Sequence, residues 1–372
     1  MKLIDELKER VKEFKTDGYP MSIGEIINLY ENREIIINPK FQRYFRWTDF
    51  QKSRLIESIF LGIPTPAIFV YQREDGVWEL VDGLQRISTI LEFVGKLRDE
   101  NQLTSDGKAI IMPKLKLKAT KLLPSFQDVE WEDEPTVDSA IPRSLQLDFK
   151  RSKIKVEIIQ KESDVNAKFE VFERLNTGGT FLSPQEVRNC VLVMLREEWL
   201  VWLESLSKLE SFQNCIPLTD RALDERYDME LALKYLGLMR YELQGRDVTD
   251  FLNDCVQDLF NVANIANNTE FENFKKLFDL LNAALGESSF RRFQGQKHTG
   301  RFLDSAFEPI TIGLGSNLSD YDLSNSKDIE LIKEKIESLW ELPDFLNNMG
   351  SGSNAKIRIP RLIALGKIHF KK

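Results

Sequence analysis

The chain has 372 residues, a formal net charge of −8 and a hydrophobic content of 42%. This length predicts one large domain or two ordinary ones, and the negative charge argues against a protein that coats nucleic acid nonspecifically. No apolar run reaches the roughly 18 residues of a membrane span, and the charged start after Met1 is no secretory signal. The sequence therefore predicts a cytoplasmic protein that does not enter a membrane.

Aromatic and basic side chains alternate in the first distinctive segment, residues 41–47. Its aromatic rings could stack on a base while Arg43 and Arg46 hold phosphate, but such a cluster can equally anchor the next helix to a core. That next helix has a recognisable start, because Thr48 followed by Gln51 is a capping-box pattern.

A polar corner then joins a predicted β-hairpin to a predicted helix. Two strand-like runs, 67–72 and 77–81, flank a turn at Gly76, and the corner itself reads Asp82-Gly83-Leu84-Gln85-Arg86. Apolar residues with helical spacing follow at Ile87, Ile90, Leu91, Val94 and Leu97.

The corner has the composition of an anion site. Free backbone N–H groups at the start of a helix favour a phosphate, and Gly83 lacks the side chain that would block its approach. Asp82, Gln85 and Arg86 would surround that ligand. The alternative interpretation is an ordinary helix cap at Asp82 and an ordinary turn residue at Gly83.

Lysine and leucine alternate between Lys114 and Leu122, and acidic residues are frequent between Asp128 and Asp138. The alternation predicts an exposed edge strand whose lysines face solvent, in preference to a DNA contact. The acidic stretch is predicted to be a loop, and mimicry of nucleic-acid charge is the less favoured alternative.

A third motif occupies residues 172–186. Its turn at 176–180 could simply reverse the chain, or it could close on a nucleotide together with Arg174 and Asn176. The run Ser183-Pro184-Gln185-Glu186 combines an N-cap, a proline at the first helical position and a capping glutamate, which predicts the start of another helix.

These three segments, in this order, resemble the ParB-like domain-of-unknown-function family found as the N-terminal part of GmrSD-type, modification-dependent restriction enzymes. The resemblance covers about residues 20–200. The family signature at the corner is DGQQR, where this chain has Leu84 in place of one glutamine. The later F-x-RLNxxG and L-S/T-x-x-E patterns are met by Phe172, Arg174, Leu175, Asn176, Gly179, Leu182, Ser183 and Glu186.

The resemblance implies an α+β fold with a ParB/sulfiredoxin-like domain over residues 1–205. It also implies a nucleoside triphosphate with Mg²⁺ at the corner, where the backbone approaches closely at Gly83. The residues implied to contact the phosphate or its metal are Asp82, Gln85 and Arg86, and those at the rim of the nucleotide site are Arg43, Arg46, Arg174 and Asn176. Leu84 favours binding over turnover.

Helical periodicity dominates from residue 206 to residue 372, which predicts an all-α second domain. A modest basic cluster in this domain has phenylalanines beside it and is the candidate DNA contact. Its members are Arg291, Arg292, Lys297 and Arg301. The alternative is a solvated loop next to core aromatics.

The chain has only two histidines, His298 and His369. Because an HNH nuclease uses histidine both as metal ligand and as general base, we expect no such domain here. The three cysteines are far apart and form no Cys-x-x-Cys pair, so neither a disulfide framework nor a zinc site is expected.

The main hypothesis is a nucleotide-binding sensor or regulator, with hydrolysis of the nucleotide left open, in a prokaryotic restriction-like defence system. It would act on DNA, modified or not, together with a separate nuclease or effector. The alternative is a non-catalytic adaptor that binds DNA or the effector protein. A DNA-nicking enzyme that uses the ParB-like fold itself is a third, less favoured option.

Overall fold

The computed structural model describes residues 2–13, 15–37, 47–132, 140–160, 183–195, 197–261, 268–349 and 354–372. The fold is mixed α+β, as predicted, and divides into two compact units, Met1–Thr180 and Phe181–Lys372. The sequence placed this division at residue 205. The helices that begin at Pro184 and Glu197 belong to the second unit because they pack against the helices that follow them.

A mixed five-stranded sheet forms the framework of the first unit. Its strands are β1 (Thr16–Ser22), β2 (Ile35–Ile36), β3 (Ile68–Gln72), β4 (Trp78–Asp82) and β7 (Lys153–Ile159), and a separate hairpin is formed by β5 (Arg98–Leu103) and β6 (Ala109–Ile111). The order across the sheet is β1-β7-β3-β4-β2. The β7–β3 and β4–β2 pairs are parallel, whereas β1–β7 and β3–β4 are antiparallel. The β3–β4 pair is the hairpin that the sequence predicted.

The helices of the first unit pack their apolar faces with the sheet into one core. They are α1 (Lys2–Glu13), α2 (Ile23–Glu31), α3 (Asp49–Phe60), α4 (Leu84–Phe93) and α5 (Arg143–Arg151). The predicted capping box of α3 is confirmed, because Thr48 and Gln51 each accept a backbone N–H of the other. The predicted apolar face of α4 is also confirmed, since all of its members are buried: Ile87, Ile90, Leu91, Val94 and Leu97.

Helix α3 also carries a buried polar face. Ser53 accepts the backbone N–H of Lys118 at 2.8 Å. The buried carboxylate of Glu57 accepts the N–H groups of Leu122 and Leu123 at 3.2 and 3.1 Å, and it also accepts the hydroxyl of Thr120. These bonds satisfy backbone groups of a segment without regular strand structure, so they fix its path along the helix.

The predicted edge strand at Lys114–Leu122 is therefore wrong. The alternation itself is real, since Leu115 and Leu117 are buried in the core. However, the segment lies outside every described strand. Side chains of α3 accept the N–H groups of Lys118 and Leu122, whereas the backbone carbonyl of Val129 accepts that of Leu117. The lysines pair with the acidic stretch: Lys114 with Glu132, Lys116 with Glu130, and Lys118 with Asp128.

We expect Glu57→Ala to lower the free energy of unfolding by about 1–3 kcal/mol, because buried donors lose their acceptor. Denaturant unfolding of the purified protein measures this change. Glu34→Ala is the matched control, since Glu34 is exposed and an exposed substitution costs within about 0.5 kcal/mol. Equal effects of the two substitutions would contradict the anchoring role of Glu57.

The second unit is helical apart from one short hairpin. Its helices are α6 (Pro184–Leu195), α7 (Glu197–Ser207), α8 (Glu210–Cys215), α9 (Asp220–Asp224), α10 (Tyr227–Arg240), α11 (Val248–Asn261), α12 (Asn268–Ala284), α13 (Asp304–Ser316), α14 (Ser326–Leu339), α15 (Pro343–Leu346) and α16 (Ala355–His369). Strands β8 (Arg292–Gln294) and β9 (Lys297–Thr299) form the hairpin. None of the helices described in either unit is both long and apolar enough to cross a membrane.

Helix α6 begins with the predicted capping box and continues with a buried polar face that the sequence did not reveal. Ser183 and Glu186 exchange backbone-to-side-chain hydrogen bonds at 2.8 and 3.2 Å, which confirms the predicted start. The fully buried Arg188 donates to Asn253 at 2.9 Å and to Glu230 at 3.0 Å. These partners lie on α11 and α10, so the guanidinium joins three helices.

A buried group of charges joins α10, α13 and α16. Lys234 lies 2.9 Å from Asp304 and 3.7 Å from Glu308, and Glu308 lies 3.1 Å from Arg358. Burial alone would raise the pKa of Asp304, yet the charge of Lys234 and the hydrogen bond from Tyr227 hold it below its usual value. Burial raises the pKa of Glu308 despite the charges of Lys234 and Arg358. We call these five residues the α10 charge cluster.

Candidate functional site

The corner between β4 and α4 is shaped by a β-bulge and a left-handed glycine. Phe69 pairs with Asp82 while the next residue, Val70, pairs with Leu80, so one residue of β4 is extra at this point. A bulge of this kind bends the strand and redirects its side chains. Gly83 follows with φ +101°, a conformation that residues with a side chain rarely adopt.

Gly83 is also the N-cap of α4, and no side chain caps this helix. The interpretation of Asp82 as an ordinary helix cap is therefore wrong, because the left-handed Gly83 stands between the carboxylate and the first turn. The first-turn N–H groups of a helix without a side-chain cap remain available to water or to an anionic ligand.

Asp82 and Arg86 form an ion pair at the corner. The guanidinium Nη2 of Arg86 lies 2.7 Å from Oδ2 of Asp82 and donates to the backbone carbonyl of Ala67 at 3.0 Å. The side chains are 16% and 27% exposed for Arg86 and Asp82, so both remain reachable from solvent. The hydrogen bond to Ala67 ties the start of α4 to the residue before β3.

Gln85 connects the corner to the start of α3. Its side-chain oxygen accepts the backbone N–H of Trp47 at 3.2 Å. Trp47, the last residue of the aromatic and basic segment, thus lies close to the corner. Arg43 and Arg46 themselves lie outside the described residues, as do Arg174 and Asn176 of the third motif.

Polar atoms near the start of α4 include several that lack partners. The Nε of Arg86 and the hydroxyls of Ser88 and Thr89 are buried, and none has a hydrogen-bond partner in the part of the chain that the structure describes. Buried polar atoms are nearly always satisfied in folded proteins, so unsatisfied ones call for a specific explanation such as water or a ligand.

A buried ion pair holds α4 against α3 behind the corner. The ammonium of Lys52 lies 2.8 Å from the carboxylate of Glu92, and both side chains are buried. Burial raises the pKa of Glu92, and the hydrogen bond and charge of Lys52 offset part of that rise. This pair could not be predicted from the sequence, because its two members are far apart along the chain.

A Mg²⁺ ion that arrives with a nucleotide would suit the corner better than a metal ion held by protein side chains alone. No group of three or more His, Cys, Asp or Glu side chains that could hold a metal occurs among the described residues. However, Mg²⁺ commonly keeps several waters and is bound by one or two carboxylates together with substrate phosphates. Asp82 is the carboxylate that could serve in this way.

The cysteines and histidines of the second unit offer no alternative catalytic centre. All three cysteine thiols are free and buried, and burial raises the pKa of Cys215 and Cys255 to about 12. Such thiols stay protonated near neutral pH and are poor nucleophiles. His298 lies 3.4 Å from Glu337, and burial lowers the pKa of His369.

The basic residues of the second unit lie on and beside the β8–β9 hairpin. Arg291 is paired with Glu287 at 3.2 Å. The exposed side chains of Arg292, Lys297 and Arg301 have no ion-pair partner among the residues described. Arg291 is therefore neutralised by its partner, whereas the other three cations can attract a polyanion.

The comparisons with known proteins agree with the motifs of the first unit. No curated protein matches the chain. A family model described as "GmrSD restriction endonuclease, N-terminal domain" matches residues 23–193. This match indicates a role in a restriction-like system and an interaction with DNA. Residues 23–193 are therefore a domain of the GmrSD N-terminal family, as the resemblance of the motifs predicted.

Proposed function

We propose that the first unit binds a nucleoside triphosphate with Mg²⁺ at the β4–α4 corner and so regulates DNA recognition in a restriction-like system. Arg86 and Gln85 hold phosphate, Asp82 carries the metal, and the backbone at Gly83 approaches the ligand. The second unit contacts DNA through Arg292, Lys297 and Arg301, with a smaller contribution from Arg291. A separate protein supplies the nuclease.

The observation that carries this proposal is the start of α4 with its glycine N-cap. Its first turn has no side-chain cap, and a carboxylate and a guanidinium lie beside it. The helix dipole and the first-turn N–H groups favour a negatively charged ligand there. The unsatisfied Nε of Arg86 gives that ligand a further donor.

The second candidate function is an adaptor without a nucleotide, and the closed Asp82–Arg86 pair favours it. In that pair, the Nη2 of Arg86 already has two partners, so the guanidinium could serve only to hold the corner together. A phosphate would then have to compete with Asp82 for Arg86. In the first proposal, the carboxylate of Asp82 would hold the Mg²⁺ ion, which would leave Arg86 to the phosphate.

The test is thermal unfolding of the purified protein with each nucleoside triphosphate, with and without Mg²⁺. A nucleotide at about 100 times its Kd stabilises the protein by about 2.7 kcal/mol, which raises the melting temperature by several degrees. We expect this rise to be lost in Arg86→Ala and Gln85→Ala. The variants are compared by the nucleotide-dependent rise and not by the melting temperature itself. Arg86→Ala also removes the hydrogen bond to Ala67 and so lowers the melting temperature without nucleotide.

Arg73→Ala is the matched control. Arg73 pairs with Asp75 at 3.0 Å in the exposed turn of the same β3–β4 hairpin, so it carries the same charge away from the corner. This variant should keep the full nucleotide-dependent rise. No rise with any nucleotide would reject the nucleotide site and leave the adaptor function. If the rise is observed, a measurement of phosphate release decides between binding and hydrolysis of the nucleotide.

A further inference from the structure

The base of the β8–β9 hairpin borders an open pocket of about 610 Å³ in the second unit. Its lining includes Arg292, Thr299, Arg301 and Trp340, together with apolar side chains from the loop before α13 and from the region of α15. A pocket of this size is in the range that holds small ligands. We call it the hairpin pocket.

The register of the hairpin explains why cations meet at this pocket. Arg292 and Thr299 are direct partners in the antiparallel pair, so their side chains share one face of the hairpin. Phe293 and His298 form the next pair and share the opposite face, where their rings lie 4.8 Å apart. His298 contacts Glu337 of α14 at 3.4 Å. The hairpin thus packs through one face and presents the other.

The polar groups of the hairpin pocket lack partners within the described chain. Arg292 and Arg301 form no ion pair there, although the protein as a whole is acidic. The indole N–H of Trp340 is buried and has no hydrogen-bond acceptor among the described residues. Its ring is held edge-on against Phe345 with the centroids 5.1 Å apart. The pocket therefore offers two guanidinium groups beside a buried aromatic ring.

The apolar part of the pocket restricts the ligand further. Leu303, Leu346 and Met349 line it beside the arginines. A simple inorganic anion would use the guanidinium groups and leave this apolar surface unused. A nucleotide suits both parts of the pocket, because its phosphate fits guanidinium forks and its base has apolar faces.

We propose that the hairpin pocket binds one unpaired nucleotide, with its phosphate on Arg292 and Arg301 and its base against the apolar wall near Trp340. In paired DNA the base edge is occupied by its partner and the faces are stacked, so the pocket favours single-stranded over duplex DNA. This inference rests on the DNA contact of the proposed function. A free nucleotide has the same chemistry and is the other source of the ligand.

The experiment measures binding of the full chain to a labelled single-stranded oligonucleotide, to the duplex of the same sequence, and to nucleoside monophosphates. Arg292→Ala and Arg301→Ala should each weaken single-strand binding by about tenfold, the usual effect of losing a charge-assisted contact. Lys297→Ala is the matched control, since Lys297 is an exposed cation of the same hairpin outside the pocket lining. It should weaken single-strand binding by no more than about threefold.

The outcomes separate the pocket from the wider proposal. Selective loss of single-strand binding in the two arginine variants supports the pocket, and equal binding of monophosphates identifies a free nucleotide as its ligand. Equal losses in all three variants, for both single strand and duplex, would overturn the pocket but keep a general DNA contact. No binding of any of these ligands would overturn both the pocket and the DNA contact of the second unit. The nucleotide site of the first unit would still be supported if Arg86→Ala abolishes the nucleotide-dependent rise in melting temperature.

Discussion

Gly83→Ala should lower the free energy of unfolding by about 2–5 kcal/mol. A left-handed conformation costs a residue with a side chain about 1–2 kcal/mol. A Cβ at Gly83 would in addition lie 2.6 Å from Cγ2 of Ile68 and 3.0 Å from its Cβ. Overpacking of this kind adds about 1–3 kcal/mol, because Ile68 is fully buried and cannot move aside. Denaturant unfolding monitored by circular dichroism measures the change.

Gly76→Ala separates the two causes of this loss. Gly76 also has a positive φ, +84°, but nothing lies within 4 Å of the position of its Cβ. Its substitution should therefore cost only the conformational part, about 1–2 kcal/mol. If the two alanine variants were equally stable, the close approach of Ile68 to the corner would not exist in solution, and the described shape of the corner would be wrong.

Lys234→Met should be the second strongly destabilising substitution, with a loss of about 3–5 kcal/mol. Methionine keeps the length of the side chain, but it leaves the buried Glu308 and the partly exposed Asp304 with one positive charge fewer. Lys275→Met is the control, since Lys275 forms an exposed pair with Asp279 on a single helix. Such an exposed pair contributes no more than about 1 kcal/mol.

The loss in Lys234→Met should also depend on pH. Without Lys234, Asp304 loses the main charge that lowers its pKa, and burial raises the pKa of Glu308 further above its usual value. A group with a raised pKa in the folded state gives its full stability below the unfolded pKa and loses it as pH rises. The difference in the free energy of unfolding between wild type and variant should therefore be larger at pH 8 than at pH 5. Denaturant unfolding at these two pH values measures it. A constant difference would show that the carboxyl groups of the α10 charge cluster are not coupled to Lys234.

Local structure in this chain could be predicted from the sequence because the signals are themselves local. The capping boxes at Thr48 and Ser183 place a hydrogen-bonding side chain three residues from its partner, and both are present. The β3–β4 hairpin and the apolar spacing of α4 followed from periodicity in the same way. The family of the first unit was predicted from motifs that are similarly short.

Contacts between distant parts of the chain could not be predicted in this way. The segment at Lys114–Leu122 has the alternation of a strand, but its N–H groups bond to side chains of α3 and to backbone carbonyls of other loops and helices instead of a sheet edge. Likewise, only the backbone conformation of Gly83 decides that Asp82 pairs with Arg86 instead of capping α4. At the candidate site, the sequence supplied the residue types, whereas the ion pair between Asp82 and Arg86 became visible only in three dimensions.

The buried contacts of Arg188 limit where recombination could exchange the two halves of this chain. The family domain ends at residue 193, inside α6, yet Arg188 on that helix donates to Asn253 and Glu230 further along the chain. A gene fusion at residue 193 would have to bring new acceptors for this guanidinium or leave a charge unpaired in the core. A junction at residue 180, where the compact units divide, keeps α6 with its acceptors. The position at which the two halves can be exchanged, residue 180, thus differs from the end of the family domain at residue 193.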